Sequence, residues 1–300
     1  MTQTRTAGWL STLASISRLH IVAIAALGTL TFGWIFTGAR PWGLAAVVAL
    51  DWFVVNLLNR VVDLEEDTTN RIVGTAFVAR HKRGVLVVGL GAMALSFPLF
   101  HLLWPAITPW RIGYHLLGTA YNWPLLPWVG RIKTLYFWKN TASAVGFLIT
   151  VFIYPLVVAA DEGVALADGI TWPIIGWTVA FFLLFELSYE VVYDLRDAEG
   201  DRAAGVHSYA AVHGERTAGT IANGLMLASV VVAVIGWTVG PLPWRIFIMV
   251  AAPLMQLFLV RRFRRAGLSS AHCIGLTWLG AGLLATYHLW VELGLPGVDL

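Results

Sequence analysis

The sequence predicts an all-α, polytopic membrane protein, and three observations carry that expectation. Hydrophobic residues make up 58% of the 300 positions and charged residues only 12%, too few to wet the surface of a soluble domain of this size. The mean hydropathy is +0.73, which also excludes a disordered chain, since disorder needs low hydrophobicity and high charge. Nine apolar windows follow one another, most of them close to the roughly 20 residues that cross a bilayer core.

Met1 to Arg18 holds Arg5 and then a short apolar stretch, Gly8 to Ile16, without a small-residue cleavage site; 1–18 reads as an uncleaved interfacial segment rather than a signal peptide. The windows are 19–37, 42–62, 84–106, 109–124, 135–158, 171–193, 216–239, 244–260 and 271–291, the fourth being the shortest. Gly38 with Pro41, Pro105 with Pro109, Pro124 with Pro127, and Gly240 with Pro241 and Pro243 separate several of them. Backbone groups in a bilayer must be hydrogen-bonded internally, and the windows show no strict alternation, so helices are expected rather than a barrel. Placing the N-terminus in the cytoplasm puts seventeen of the twenty Lys and Arg residues on that side and leaves Arg40, Arg111 and Arg245 on the other. The expectation is nine transmembrane helices, N-in and C-out, in a single domain over 1–300 of an integral multi-pass protein of the cell (inner) membrane. No polar segment is long enough for a soluble domain.

The net charge of +3 comes from basic residues spread between apolar spans, so nucleic acid is not an expected partner, and no obligate protein partner is evident. A single cysteine, Cys273, excludes an internal disulfide and any multi-Cys metal site, and its apolar setting predicts packing. The eight histidines show no metal-ligand spacing such as HExxH.

The carboxylates are informative by position. Asp161, Glu162, Asp168, Glu292 and Asp299 read as solvated loop or terminal charges. Asn59, Asp63 and Asp67 are spaced i, i+4, i+8 at the end of the second window, so a continuing helix projects all three from one face. Asp51 lies two turns deeper, where an ionisable group is a functional candidate by default. Glu186, Glu190, Asp194, Asp197 and Asp201 form an acidic stripe at the end of the sixth window, with Glu199 in the same cluster. Like charges at this spacing repel unless cations or basic groups compensate them. Two acidic helix ends on one side of the membrane, with oxygen-only donors, suit a hard divalent ion such as Mg²⁺, whose shell substrate phosphates complete. Arg71, Arg131, Lys133 and Lys139 fall on the same side of the membrane as the two clusters, and Lys139 begins an apolar window, where a cation needs a partner; they are candidates to hold an anion jointly with the metal. A diphosphate held at the mouth of an apolar cavity matches a ligand that is anionic at one end and hydrocarbon at the other, as isoprenyl diphosphates are. Metal and basic groups stabilise the departing diphosphate, and aromatic rings shield an allylic cation. The tryptophan excess, 15 residues, fits that shielding and also fits ordinary enrichment at membrane interfaces.

These residues resemble a known family. Asn59-x-x-x-Asp63-x-x-x-Asp67 is similar to the first aspartate-rich motif of the UbiA superfamily of intramembrane prenyltransferases. Asp194-x-x-Asp197-x-Glu199-x-Asp201 is similar to its second motif, 135 residues on from Asn59. Tyr121-Asn-Trp-Pro124, then Arg131-Ile-Lys133 and Lys139-Asn140, resembles the stretch between the fourth and fifth helices. The resemblance covers nearly the whole chain. It implies nine helices around a central cavity capped on the cytoplasmic side by both motifs, with Asn59, Asp63, Asp67, Asp194, Asp197 and Asp201 binding Mg²⁺ and the prenyl diphosphate in catalysis. It makes Arg71, Lys133 and Lys139, with Arg131, the candidate diphosphate ligands. Arg60 stands where an aspartate is common, Ile72 where a proline follows the arginine, and Glu186 and Glu190 extend the second motif deeper than usual.

The expected activity is Mg²⁺-dependent transfer of a prenyl group to an aromatic or lipid-soluble acceptor, a step of isoprenoid biosynthesis. Asp51, Glu186 and Glu190 are candidates for the base that takes the acceptor's proton. Two other readings remain open at this point: a terpene synthase that closes the same cation on itself, and a cation transporter lined by carboxylates.

Overall fold

A computed structural model of the chain describes residues 8–128 and 130–296. Arg5 and Asp299 lie outside the described residues. The described chain is helical throughout; apart from an isolated bridge between Leu126 and Gly130 it contains no β-pairing. α1 (Trp9–Ile16) covers the described part of the expected interfacial segment and is too short to span a bilayer. A turn at Arg18, whose backbone is left-handed, feeds α2 (Leu19–Thr37), followed by α3 (Trp42–Val62), both coinciding with the first two windows.

Asp63 interrupts the next stretch. It ends α3 and begins the short α4 (Leu64–Thr69), so the helix does not run unbroken through the first acidic motif as the spacing predicts. The Asp63 N–H still bonds to the Asn59 carbonyl (2.9 Å) and the Asp67 N–H to the Asp63 carbonyl (2.7 Å). The i, i+4, i+8 register therefore survives the break. α5 (Thr75–Arg80) and α6 (Lys82–Leu103) follow, then α7 (Thr108–Asn122). At 15 residues, α7 is shorter than a full span, as its window suggested, while among the described residues eight helical segments are long and apolar enough to cross a membrane. α7 packs against α3 and α8 (Trp138–Leu148).

α8 continues through a π-helical turn, Ile149–Ile153, into α9 (Tyr154–Asp161). Pro155, which has no N–H to donate, lies just beyond that turn. α10 (Trp172–Ala203) is a single 32-residue helix that carries the whole second acidic stripe. α11 (Tyr209–Thr238) bends at Gly214, where φ is +79°; α12 (Phe247–Ala266) and α13 (Ser270–Glu292) close the bundle, and Cys273 is fully buried on α13 as expected.

Close helix approach comes from small residues, as expected where lipid leaves little hydrophobic drive between helices. A Cβ on Gly33 of α2 would meet Pro41 at 2.6 Å and Pro155 at 2.9 Å. Phe32, Phe36, Phe152 and Phe182 form a tilted and edge-on aromatic cluster one turn beyond Glu186 on α10, which fills the bundle past the acidic stripe. Two of the three basic residues counted on the non-cytoplasmic side are not loop charges: Arg111 is buried on α7, and Arg245 is buried with its Nε donating to the Tyr287 hydroxyl (3.3 Å).

Candidate functional site

The two acidic helix ends face one cavity of about 190 Å³. Asn59, Asp63 and Asp67 line it from α3 and α4; Glu186, Glu190, Asp194, Asp197 and Asp201 line it from α10, so the stripe read from the 4, 4, 3, 4 spacing shares one face. Between Glu186 and Asp201 the helix rises roughly 22 Å, so the carboxylates run from the mouth deep into the bundle. The ends are joined directly: the Gly200 N–H lies 3.2 Å from Asn70 Oδ1, and a Cβ at position 200 would come within 2.5 Å of that amide.

Both ends stop in the same way. The Ile72 N–H returns to the Asp67 carbonyl (2.9 Å) and the Arg71 N–H to that of Thr68 (3.1 Å); the Val206 N–H returns to Asp201 (2.8 Å) and the Gly205 N–H to Arg202 (3.3 Å). Each is a helix C-terminus closed through a left-handed residue, Arg71 (φ +52°) in one and Gly205 (φ +68°) in the other. The last aspartate of each motif occupies the same place relative to its cap. A proline at position 72 would lack the N–H that closes the first cap and would disfavour the left-handed Arg71, which accounts for Ile72.

Each end holds a buried lysine. Lys133 Nζ donates to Asp63 and to Glu66 Oε2 (2.7 Å), with Arg131 3.6 Å from Glu66. Lys139, in the first turn of α8, donates to Asp194 Oδ1 and Asp201 Oδ2, both at 2.6 Å, and Asn140 Nδ2 donates to Asp194 Oδ2 (2.8 Å). Arg196 grips its neighbour Asp197, and Arg60 donates to Asp67 Oδ2 (2.7 Å) and to the Ser15 carbonyl of α1 (2.7 Å). Burial and the adjacent Asp63 carboxylate push the Glu66 carboxyl above its ordinary range, against the pull of Lys133 and Arg131.

Even so, eight carboxylates line the cavity against four basic side chains, Arg18, Lys133, Lys139 and Arg196. A wall with this imbalance draws cations and repels an anion that arrives without one. Among the described residues no three carboxylates converge to hold a metal by themselves, so a divalent ion here would need oxygens from a second ligand. The donor set suits such an ion, being oxygen only. Asn59 Oδ1, buried on the cavity wall, has no hydrogen-bond partner among the described residues.

Not every residue singled out from the sequence reaches this cavity. Arg71 is exposed and is not part of the lining, because the left-handed cap turns the chain away. Arg131 touches the lining only through Glu66 and Asp63. Asp51 does not face the cavity at all. It accepts from Arg111 Nη2 (2.6 Å), Arg111 Nε (3.0 Å) and the Tyr154 hydroxyl (3.2 Å), with His115 Nε2 at 3.0 Å, so the geometry leaves it no room to act as an acceptor-side base. Glu190 faces the cavity with Ser143 Oγ donating to it (2.8 Å), while Glu186 has no basic partner among the described residues. Of the tryptophans, Trp52 is the one that lines the cavity among the described residues; Trp9, Trp42, Trp138 and Trp172, each at the first position of its helix, are exposed, which supports the interfacial reading of the excess.

Some of the lining was missed. Glu66 follows Asp63 by one turn and Asn140 follows Lys139, so proximity to a motif residue was the available signal. Tyr114, Tyr189 and Tyr193 line the deeper walls and carry no signal outside the fold.

Among solved structures, the chain is similar to a UbiA homolog from Archaeoglobus fulgidus bound to DMAPP and Mg²⁺, at 13% identity and a TM-score of 0.70, covering 93% of this chain and 97% of that one. The same homolog bound to GPP and Mg²⁺ gives 12% identity and a TM-score of 0.69, over 93% and 98%. A digeranylgeranylglyceryl phosphate synthase structure gives 15% identity and a TM-score of 0.54, over 93% and 96%. No curated protein sequence matches the chain. The model of the UbiA prenyltransferase family matches residues 19–280, and the chain belongs to that family.

Proposed function

We propose that this protein is a Mg²⁺-dependent intramembrane prenyltransferase, which ionises an isoprenyl diphosphate and transfers the prenyl group to a hydrophobic or aromatic acceptor. The observation that carries the reading is the shared cavity: two acidic helix ends, each with a buried lysine, meet at the mouth of an apolar chamber and leave a surplus of carboxylates. Family membership and relatives bound to DMAPP or GPP with Mg²⁺ support the same ligand pair.

Asn59, Asp63 and Asp67 on one side and Asp194, Asp197 and Asp201 on the other would hold Mg²⁺ together with diphosphate oxygens. Bound there, the metal would neutralise charge developing on the leaving group. Lys133 and Lys139 now rest on carboxylates and would turn to the diphosphate as those carboxylates take up their metal-holding role, with Arg131 adding positive charge behind Lys133. Stabilisation of the separating charge would come from these fixed, preorganised groups. Trp52, Tyr121 and Phe147 line the chamber, where the allylic fragment would lie and where aromatic rings can shield a cation. Glu190, and Glu186 one turn deeper, would accept the proton that the acceptor loses.

The topology we propose keeps nine crossings, with α7 as the short fourth, the N-terminus in the cytoplasm and the cavity mouth on that side of the cell membrane. The chain acts as one unit. The test is product analysis with a panel of prenyl diphosphates, with and without aromatic or lipid acceptors, in Mg²⁺ and in EDTA. Diphosphate release that requires both metal and acceptor is the expected result. Chelation without effect would remove the mechanism, and a cyclic hydrocarbon or alcohol formed without acceptor would replace transfer by cyclisation.

A further inference from the structure

With the diphosphate at the acidic ends, the depth of the cavity below them sets how long a hydrocarbon chain it can carry. Among the described residues, the deepest that line it on α3, α7 and α8 are Trp52, Tyr114 and Phe147. Lys139 to Phe147 on α8 is eight residues and Asn59 to Trp52 on α3 is seven, a rise of roughly 10–12 Å from the polar mouth to these rings. An isoprene unit adds four chain bonds of about 1.5 Å each, so two units extend to roughly 10 Å and three to roughly 15 Å.

The rings are held where they are. Trp52, Tyr114 and Phe147 are buried, and the Trp52 and Tyr114 ring centroids are 5.7 Å apart. Trp52 Nε1 donates to Thr150 Oγ1 (3.0 Å), a fully buried hydroxyl in the π-helical turn beyond Phe147. Thr150 is fixed in its turn. Its Oγ1 donates to the Gly146 carbonyl (3.0 Å), and its own carbonyl accepts from Thr29 Oγ1 of α2 (3.2 Å). Swinging the indole aside would strip its buried N–H of an acceptor, so the ring does not yield cheaply. A Cβ on Gly146 would meet the Tyr114 ring at 3.3 Å, which sets that ring directly against the α8 backbone. Val151 and Phe152, both buried, fill the next positions of α8 beyond Thr150.

We infer that Trp52, with Tyr114 and Phe147, is a fixed floor that limits the donor to two isoprene units, a geranyl-sized or shorter allylic diphosphate. The inference rests on the prenyltransferase reading, which by itself leaves the chain length open. The alternative path for a longer chain runs sideways past Ile24 of α2 and Thr277 of α13, which also line the cavity. A chain on that path would not meet the floor, and the test separates the two.

The full chain in phosphatidylcholine nanodiscs with Mg²⁺ is loaded with labelled geranyl S-thiolodiphosphate, which resists ionisation. Dimethylallyl, farnesyl and geranylgeranyl S-thiolodiphosphates then compete for the site, each counted per lipid. Farnesyl and geranylgeranyl competitors are expected to bind roughly ten-fold more weakly than the geranyl compound, within the range that overpacking a fixed core costs. Trp52→Leu is expected to erase the farnesyl penalty and Trp52→Phe to keep most of it, with thermal melts confirming that both variants fold. Farnesyl or geranylgeranyl binding to the parent as tight as geranyl overturns the inference without need of a variant. A penalty that persists in folded Trp52→Leu overturns the assignment to Trp52. Consumption of the corresponding diphosphates is followed in the same nanodiscs with the acceptor panel. Length-selective binding without transfer to any acceptor refutes the prenyltransferase reading and leaves the floor; efficient transfer from geranylgeranyl diphosphate does the reverse.

Discussion

Asp51 and Glu186 occupy matching positions on the two helices that carry the acidic ends. One lies eight residues before Asn59 on α3, the other eight residues before Asp194 on α10. From the sequence both are carboxylates at the same depth below a motif, and both qualify as functional candidates. Their surroundings separate them. Asp51 is closed in by Arg111, His115 and Tyr154, with the Arg111 guanidinium also stacked over Phe97 and Phe100. Glu186 faces an open chamber without a basic partner among the described residues. The first arrangement holds α3, α7 and α9 together and has no lone pair to spare; the second has capacity left for a substrate. An intramembrane carboxylate is therefore read by its unspent hydrogen-bonding capacity, not by its depth.

The contrast can be broken most directly at Arg111. Arg111→Met would leave Asp51 buried with half its donors gone, and removing one partner of a buried pair costs about 3–5 kcal/mol. The expected outcome is a large fall in the thermal midpoint in detergent, with unchanged turnover per folded molecule. Loss of turnover without loss of stability would put Asp51 back among the catalytic candidates.

On the cavity side the expectation is the inverse. Asp63→Asn and Asp194→Asn should each lower diphosphate release per folded molecule by roughly 10²–10³-fold, the scale on which electrostatic stabilisation of a leaving group acts, whatever stability is lost from their pairs with Lys133 and Lys139. Glu190→Gln should lower prenyl transfer by about 10²-fold at saturating donor. Affinity for the diphosphate should hold, which separates proton removal from donor binding.

Gly200→Ala is a milder test of how the two ends are joined. Its Cβ would displace the Asn70 amide that meets the Gly200 N–H, an overpacking cost of about 1–3 kcal/mol. Raised KM for the diphosphate at near-normal kcat for bound substrate would show that Asn70 keeps the ends in register. The smallest effect concerns Glu66. Because its carboxyl is raised in the folded state, its stabilising contribution is present at acid pH, below the unfolded value, and is lost as pH rises through the folded one. Glu66→Gln should flatten that slope, so that the variant gains on the parent between mildly acid and neutral pH. A parallel pH profile for the two proteins would contradict the assignment.

Composition and window length by themselves determined the helical membrane architecture, because a bilayer leaves the backbone few alternatives and the apolar runs must match its thickness. Helical spacing likewise determined that the α10 carboxylates share a face, since a rigid 3.6-residue period needs no tertiary input. The resemblance of the Arg131–Asn140 stretch, and a cation opening an apolar window, were enough to suggest Lys133 and Lys139. Three things were decided only in three dimensions: the interruption at Asp63, the left-handed cap that turns Arg71 outward, and the burial of Arg111 against Asp51. Each depends on which helix faces which, and a charge on one helix has no fixed meaning until its neighbour supplies, or withholds, the opposite charge.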